Sequence, residues 1–389
     1  MLFLCALTYG WKATWTAAGI PSFTPPFLDL RVITSGLVTL RHGGDPLVSN
    51  PFDPLGRNLN YPRIWLVLFS WLGISDRNVF IFGIVLCALF LACLSRMIVD
   101  SQDELEALII LIAALSLASL FAIERGNIDL LIFALMYLGC VTGRKSLKSS
   151  LFALAAILKI YPLAGAMVNL VLRPLREKLL PALLTALVVV ILTLQLHDSN
   201  LIGHSTPVST YHSFGTLSIR DQAFSYAARF GLPANQLKHF GYVVVFGCYL
   251  IAVLVVVAAA ARFKPNRLDG LVRESQQHSE MFAIFGAIYA FCFIAGSNWD
   301  YRLIFLIPTL PFAFILARQP EYKSWSMAYI ILVIFSENSM HLRMRGGAIL
   351  AHLASFSTFL FVLTILTQQI RTMGFGGYLR PEAVQPNAK

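Results

Sequence analysis

The stretch GRKSLKSSLFALAAILKIYPLAGAMVNLVLRPLREK, residues 143–178, decides how this chain threads. Two basic clusters, GRKSLK at 143–148 and RPLREK at 173–178, bracket the apolar residues 149–172. Basic short loops favour the cytoplasmic side of a membrane, and a single crossing between the clusters would leave one of them on the wrong side. The segment is therefore expected to turn back within the bilayer. Proline disfavours helix at the residue before it, which puts the apex at Lys159-Ile160-Tyr161-Pro162. Each arm of ~11 residues then rises ~16 Å, about half of a ~30 Å hydrocarbon core. Re-entrant backbone of this kind needs protein or a watery cavity around it.

Composition agrees with lipid as the solvent. Of 389 residues, 57% are hydrophobic and 13% charged, against about a quarter charged in an ordinary soluble domain. Apolar runs near spanning length recur at 79–99, 107–123, 240–261 and 349–370, leaving no room for a large soluble domain between them. The net charge of +10 lies in short loops beside these runs, which is topological anchoring and gives no reason to expect a nucleic-acid partner. The six cysteines all fall in apolar stretches without CxxC spacing, so neither disulfides nor a zinc site is expected. No small-residue cleavage site precedes Pro21, and the opening run reads as a retained first span.

Three basic loops, 143–148, 173–178 and 262–273 (RFKPNRLDGLVR), are assigned to the cytoplasm and fix the parity of the rest. The fold class expected is an all-α polytopic membrane protein with about ten spans, a re-entrant hairpin and interfacial helices at the outer face. The apolar segment 61–74 is too short to span and is placed along the outer interface. Residues 1–372 form one membrane domain with outer loops at 21–78 and 198–239, and 373–389 form a cytoplasmic tail. This threading brings Asp29, the ERGN run at 124–127, KIYP, the second loop and SNWDYR at 297–302 to one outer face. The SMHLRMRGG turn at 339–347 is basic on that same face, against the trend, and is a candidate for binding an anion.

Asp29 follows Pro25-Pro26 among apolar neighbours with Arg31 beyond. Such a carboxylate reads either as a tunable general base or as a cap for the helix that carries 32–40. Lys159 lies in an apolar half-helix, where an ammonium costs several kcal/mol unless paired or hydrated. It reads as a phosphate ligand or as a side chain snorkelling to the interface. Glu124-Arg125 and Asp300-Arg302 each read as local ion pairs at span ends. The histidines at 197, 204, 212 and 239 match no metal-ligand spacing, and no metal site is expected.

The run FLDLRVITSGLVTLRHGGDPLVSNPF (27–52), followed by NYPRIWLVLF (60–69), resembles the opening of the polyprenol-phosphate-mannose-dependent glycosyltransferases of family 87, which are of the GT-C type. Asp29, Gly43-Gly44-Asp45-Pro46 and Tyr61-Pro62 carry the likeness, with Arg63 where the family usually has a second proline. GNIDLLIFALMYLG (126–139) is similar to the family's Gly-Gln-x-Asn stretch, and ILKIYPLAGAMVNL (157–170) to its Lys-x-Tyr-Pro segment. FGTLSIRDQAFSYAARFGL (214–232) resembles an Asn-x-Ser-Leu element, with Thr216 in place of the commoner Asn.

The resemblance implies that Asp29 is the catalytic base of an inverting transfer. It further implies that Lys159, with Arg125 or Arg302, neutralises the departing phosphate. Glu124, Asn127, Tyr161, Tyr61, Asp45, Trp299, Asp300 and Arg220 are the accompanying candidates for substrate contacts, Trp299 by stacking on a sugar. The implied donor is a polyprenyl-phosphate-linked sugar, mannose by default, and the acceptor a lipid or glycan. No cofactor and no obligatory divalent metal are implied. The expected location is a bacterial inner (plasma) membrane with the active site facing the periplasm or exterior. A secondary transporter would also place ionisable groups between spans, but it usually shows related halves and a midplane site. A membrane acyltransferase would be favoured by a buried histidine beside a polar partner, which the sequence does not single out.

Overall fold

The structure, a computed structural model, describes residues 2–206, 209, 212–231, 233–262, 265–344 and 346–371. The tail at 373–389, Phe263 and Lys264 of the third basic loop, and Arg345 of the 339–347 turn lie outside the described residues. The protein is an integral membrane protein of α-helices, with, among the described residues, one two-residue antiparallel ladder pairing Ser213 with Trp299 and Phe214 with Asn298.

Among the described residues five helical segments are long and apolar enough to cross a membrane: Val79–Val99, His239–Ala258, Gln276–Ala295, Asp300–Ala317 and Ala348–Gln369. Two bent pairs raise the number to seven if each is one span: Glu104–Ala114 with Leu117–Arg125 at 45°, and Leu179–Leu194 with Leu196–His204 at 65°. Ten spans are thus not reached by length. Asp129–Val141, of 13 residues, and Pro162–Leu172, of 11, rise only ~20 and ~16 Å. The expected first span is corrected to two short helices, Leu2–Tyr9 and Trp11–Ala17, because Gly10 between them takes a left-handed φ of 88°.

The breaks follow local chemistry. Ser116 starts the second half of the first bent pair by accepting the Ser119 amide at 3.2 Å, a side-chain cap in mid-run. Gly126, at φ 59°, stops that helix, and Asn127 Oδ1 then accepts the Asp129 amide at 2.9 Å to start the next. Helix Lys145–Leu158 ends before Lys159, and Pro162 opens Pro162–Leu172, so the chain is broken at Lys159-Ile160-Tyr161. Trp65, from the eight-residue helix Ile64–Trp71, donates its indole to the Leu158 carbonyl at 3.0 Å and anchors that break.

The core is centred on Asp300–Ala317, 94% of whose spanning window is buried, whereas only 11% is buried in the peripheral His239–Ala258. Charged groups collect at two ends separated by Val79–Val99, about 31 Å of helix. At its C-terminal end lie Arg96 and Asp100, which line one cavity with Gln277 and His278. The ion pairs Lys148–Glu280 (2.7 Å), Lys145–Glu177 (2.6 Å) and Arg318–Asp103 (2.6 Å) belong to this end. At its N-terminal end lies Asp76, paired with Arg31 of the helix that carries Asp29.

Candidate active site

Asp29 sits in the first turn of Leu28–Arg41, and the capping residue of that helix is Phe27. No side-chain cap bond forms, so capping does not account for Asp29. Phe27 holds a left-handed φ of 59°, a conformation costing roughly 1–2 kcal/mol in a residue with a side chain. Its ring is fully buried against Trp11 (4.9 Å between centroids) and Phe80 (5.3 Å), and this packing sustains the strained turn that orients Asp29. The Asp29 carboxylate accepts from Arg57 Nη1 at 3.1 Å and from Asn127 Nδ2 at 2.6 Å. Arg57 is itself held by buried Asp53 through two 3.0 Å bonds and by the Leu28 carbonyl at 2.7 Å.

Asn127 also reaches the Tyr61 hydroxyl at 3.4 Å, and Tyr61 faces a second, deeper group of charges. There Asp129, with no exposed surface, accepts from the Lys159 ammonium and from the Tyr161 hydroxyl at 2.6 Å through Oδ1. Its Oδ2 pairs with Arg302 Nε at 3.3 Å. Lys159 lies 5.1 Å from the Tyr61 ring centroid, and the Arg302 guanidinium 5.2 Å from that of Tyr161, so both cations are also held over aromatic faces. Buried ions persist when paired, and here two cations share one carboxylate.

Lys159, Arg302, Tyr61, Tyr161 and Tyr301 line a cavity of about 420 Å³. Polar Asn60, Gln195, Ser199, Ser297 and Asn298 share its wall with apolar Leu192, Ile202, Leu217 and Phe291. The Arg302 guanidinium also donates to the Asn298 side chain, which sits on the two-residue ladder. Asp29 does not line this cavity; Asn127 and Tyr61 connect it to the wall.

The remaining candidates fall around this centre. The expected Asp300-Arg302 pair does not form: Arg302 is drawn to Asp129, and fully buried Asp300 pairs with buried Arg343 of the 339–347 turn. Adjacent acids and bases on the tight helical turn beginning at Asp300 point apart, so sequence adjacency gave the wrong partners. Glu124 and Arg125 do pair, at 3.4 Å, but both are buried. Glu124 accepts from Trp11 and Ser22, and Arg125 lies 5.1 Å from the rings of both Phe23 and Phe121, away from the cavity wall. Trp299 lies nearly parallel to Tyr301 (4°) and to His212 (12°). Burial, with the charges of Arg125 and Arg343 nearby, lowers His212 to about 4. Asp45 accepts from Arg63 at 2.9 Å, a bond that holds it below the usual carboxylate range. Arg63 also reaches Asp198 at 2.8 Å, which ties the segment before Ile64–Trp71 to the helix Leu196–Ser205. Arg220 pairs with its neighbour Asp221 at 2.7 Å and does not reach the cavity.

Asp129, Arg57 and Asp53 escaped the sequence reading, and Arg343, in the turn expected to bind an anion, is instead buried against Asp300. The signal for Asp129 was available: an ammonium at Lys159 demands a counter-charge, and Asp129 is the sole acid in the apolar run 126–141.

Fold and site together define a polytopic membrane protein with a cationic cavity at one end of its helical bundle. The sequence model of glycosyltransferase family 87 matches residues 59–275, more than half of the 389-residue chain, and the chain belongs to that family. It is a membrane glycosyltransferase, with a sugar donor and an acceptor as its substrates. No curated protein matches the chain. The matched span includes Tyr61, Asn127, Asp129 and Lys159; Asp29 and Arg302 lie beyond it and join the site only in three dimensions.

Proposed function

We propose that the protein transfers a sugar, mannose by its family likeness, from a polyprenyl-phosphate donor to a lipid or glycan acceptor, with inversion, at the outer face of the membrane. One observation carries the donor assignment. Buried Lys159 and half-buried Arg302 line a cavity whose wall also carries apolar Leu192, Ile202, Leu217 and Phe291, a combination suited to a phosphate with a hydrocarbon tail. The phosphate takes the N–H groups of Lys159 and Arg302 that Asp129 leaves free, and the prenyl chain lies along Leu192, Ile202, Leu217 and Phe291.

Asp29 takes the proton from the acceptor hydroxyl. The acceptor oxygen bonds to the anomeric carbon as the bond from that carbon to the phosphate oxygen breaks, its electron pair leaving with the prenyl phosphate. Lys159 and Arg302 stabilise the charge gained there. Asn127 donates to Asp29 and accepts the Asp129 amide, and the Asp129 carboxylate accepts from Lys159, so the base and the phosphate site belong to one hydrogen-bonded chain. Outward orientation rests on the basic 143–148 and 173–178 loops, which lie at the end of the bundle away from this site. In this reading residues 1–372 act as one domain, 149–172 as a re-entrant hairpin, and 373–389 as a cytoplasmic tail. Purified protein given a radiolabelled polyprenyl-phosphate sugar and crude membrane lipids is expected to move label into a new glycolipid or glycan. Label released only as free sugar, or not at all across sugar types, rejects the donor assignment.

A further inference from the structure

The fully buried Asp129 is the unusual element of the phosphate site, because a carboxylate behind two phosphate-binding cations opposes the ligand they bind. Its oxygens hold the Lys159 ammonium, the Tyr161 hydroxyl and Arg302 Nε, while the rest of both cations faces the cavity. A phosphate on the far side of the Lys159 ammonium lies about 6 Å from Asp129, two charge-assisted contact lengths away. At that distance, with an effective dielectric near 20, like charges repel enough to change binding by roughly ten- to a hundred-fold per unit charge.

The two ligands of the proposed reaction differ in charge. A sugar phosphodiester carries one negative charge, and the prenyl phosphomonoester left after transfer carries about 1.5 to 2 at pH 7. We infer that Asp129 is a specificity-determining residue that makes this cationic site favour the singly charged donor over the more highly charged product, and so drives product release. Without it Lys159 and Arg302 would bind the product more tightly than the donor and the enzyme would stall after one turnover. Asp129 touches neither ligand; it acts through the two cations. The inference rests on the proposed prenyl-phosphate donor.

The test measures the inhibition constant of a short-chain prenyl monophosphate and the KM of the matching prenyl-phosphate sugar, and takes their ratio. In Asp129→Asn that ratio is expected to fall by about tenfold or more, with kcat reduced and product inhibition growing as pH rises from about 6 to 8 and the monoester takes its second charge. A merely structural role would weaken both ligands together and leave the ratio and its pH dependence unchanged, and that result overturns the inference. Should Asp129→Asn not fold, Tyr161→Phe is the second variant. It strips a hydrogen bond from the carboxylate and leaves its charge less shielded, so the ratio is expected to shift modestly the other way. An unchanged ratio there also overturns the inference. Parental protein that binds neither prenyl compound removes the donor reading itself, an outcome distinct from either variant result.

Discussion

Replacing Asp29 by Asn separates the base from every other task that position performs. The two oxygens of Asp29 accept from Arg57 Nη1 and Asn127 Nδ2, both donors. An amide can satisfy only one of them with its oxygen and must point its NH2 at the other. Asn127 cannot turn its amide over without surrendering the 2.9 Å bond that its oxygen makes to the Asp129 amide. Arg57, by contrast, stays held by Asp53 and the Leu28 carbonyl. The stability cost is then that of about one lost bond, roughly 1–2 kcal/mol. Loss of a general base is a larger effect, about 10² to 10⁴ in turnover, equivalent to roughly 3–5 kcal/mol in the barrier. Paired measurements of thermal unfolding and of single-turnover sugar transfer, with donor saturating, resolve the two. The expected result is a modest drop in Tm, near-parental donor binding and turnover below about 1%. Retention of more than about a tenth of parental turnover in a folded Asp29→Asn protein would refute the base assignment.

The other expectations are these. Lys159→Ala should lower donor use about 10²-fold or more, while Arg302 still neutralises Asp129 and keeps the stability loss below about 3 kcal/mol; unchanged activity moves the phosphate site elsewhere. Lys159→Arg should restore transfer only in part, since a planar fork does not place its charge as an ammonium does. In a background without native cysteines, residues changed to Cys at Ser49 and Ser209 should react with an impermeant thiol reagent from one side, and at Ser146 only after permeabilisation; labelling of 49 and 146 from the same side refutes the threading. His212, lowered to about 4 by burial, stays neutral in the fold while the unfolded chain takes up a proton below about 6.5. Its contribution to stability is therefore present above about 6.5 and is lost as pH falls toward about 4. Thermal melts of His212→Phe across that window should show a shallower acid decline than the parental protein, and parallel curves would remove His212 as a cause.

Much of the fold was legible because lipid imposes simple rules. Apolar run length found Val79–Val99 and Ala348–Gln369, and Pro162 located the break at Lys159-Ile160-Tyr161. Hydropathy alone did not reveal that Gly10 splits the first run, or that Ser116 bends another, because both act through one local conformation inside an otherwise apolar window. Asp29 and Lys159 were marked by a charge out of keeping with its surroundings, Tyr61, Tyr161 and Asn127 by the family resemblance, and together with Asp129 they form one hydrogen-bonded neighbourhood. Pairing was harder to read. Asp300 and Arg302 stand two apart in sequence, yet each finds its partner on a different element, 43 and 173 residues away. Long-range ion pairs in a bundle are set by which helix ends meet, information that a single sequence carries only through the cost of leaving a charge alone.

The separations within the cationic site also prescribe an order of biosynthesis. Lys159 finds Asp129 only 30 residues back along the chain, whereas Arg302 is 173 residues from the same carboxylate. A chain emerging from the ribosome N-terminus first therefore closes a neutral ammonium–carboxylate pair long before its last third is made. The Asp129 carboxylate thus need not wait for Arg302 to be neutralised. The guanidinium that leaves the finished cavity with surplus positive charge is delivered late, on Asp300–Ala317, when most of the bundle that will shelter it has already been inserted.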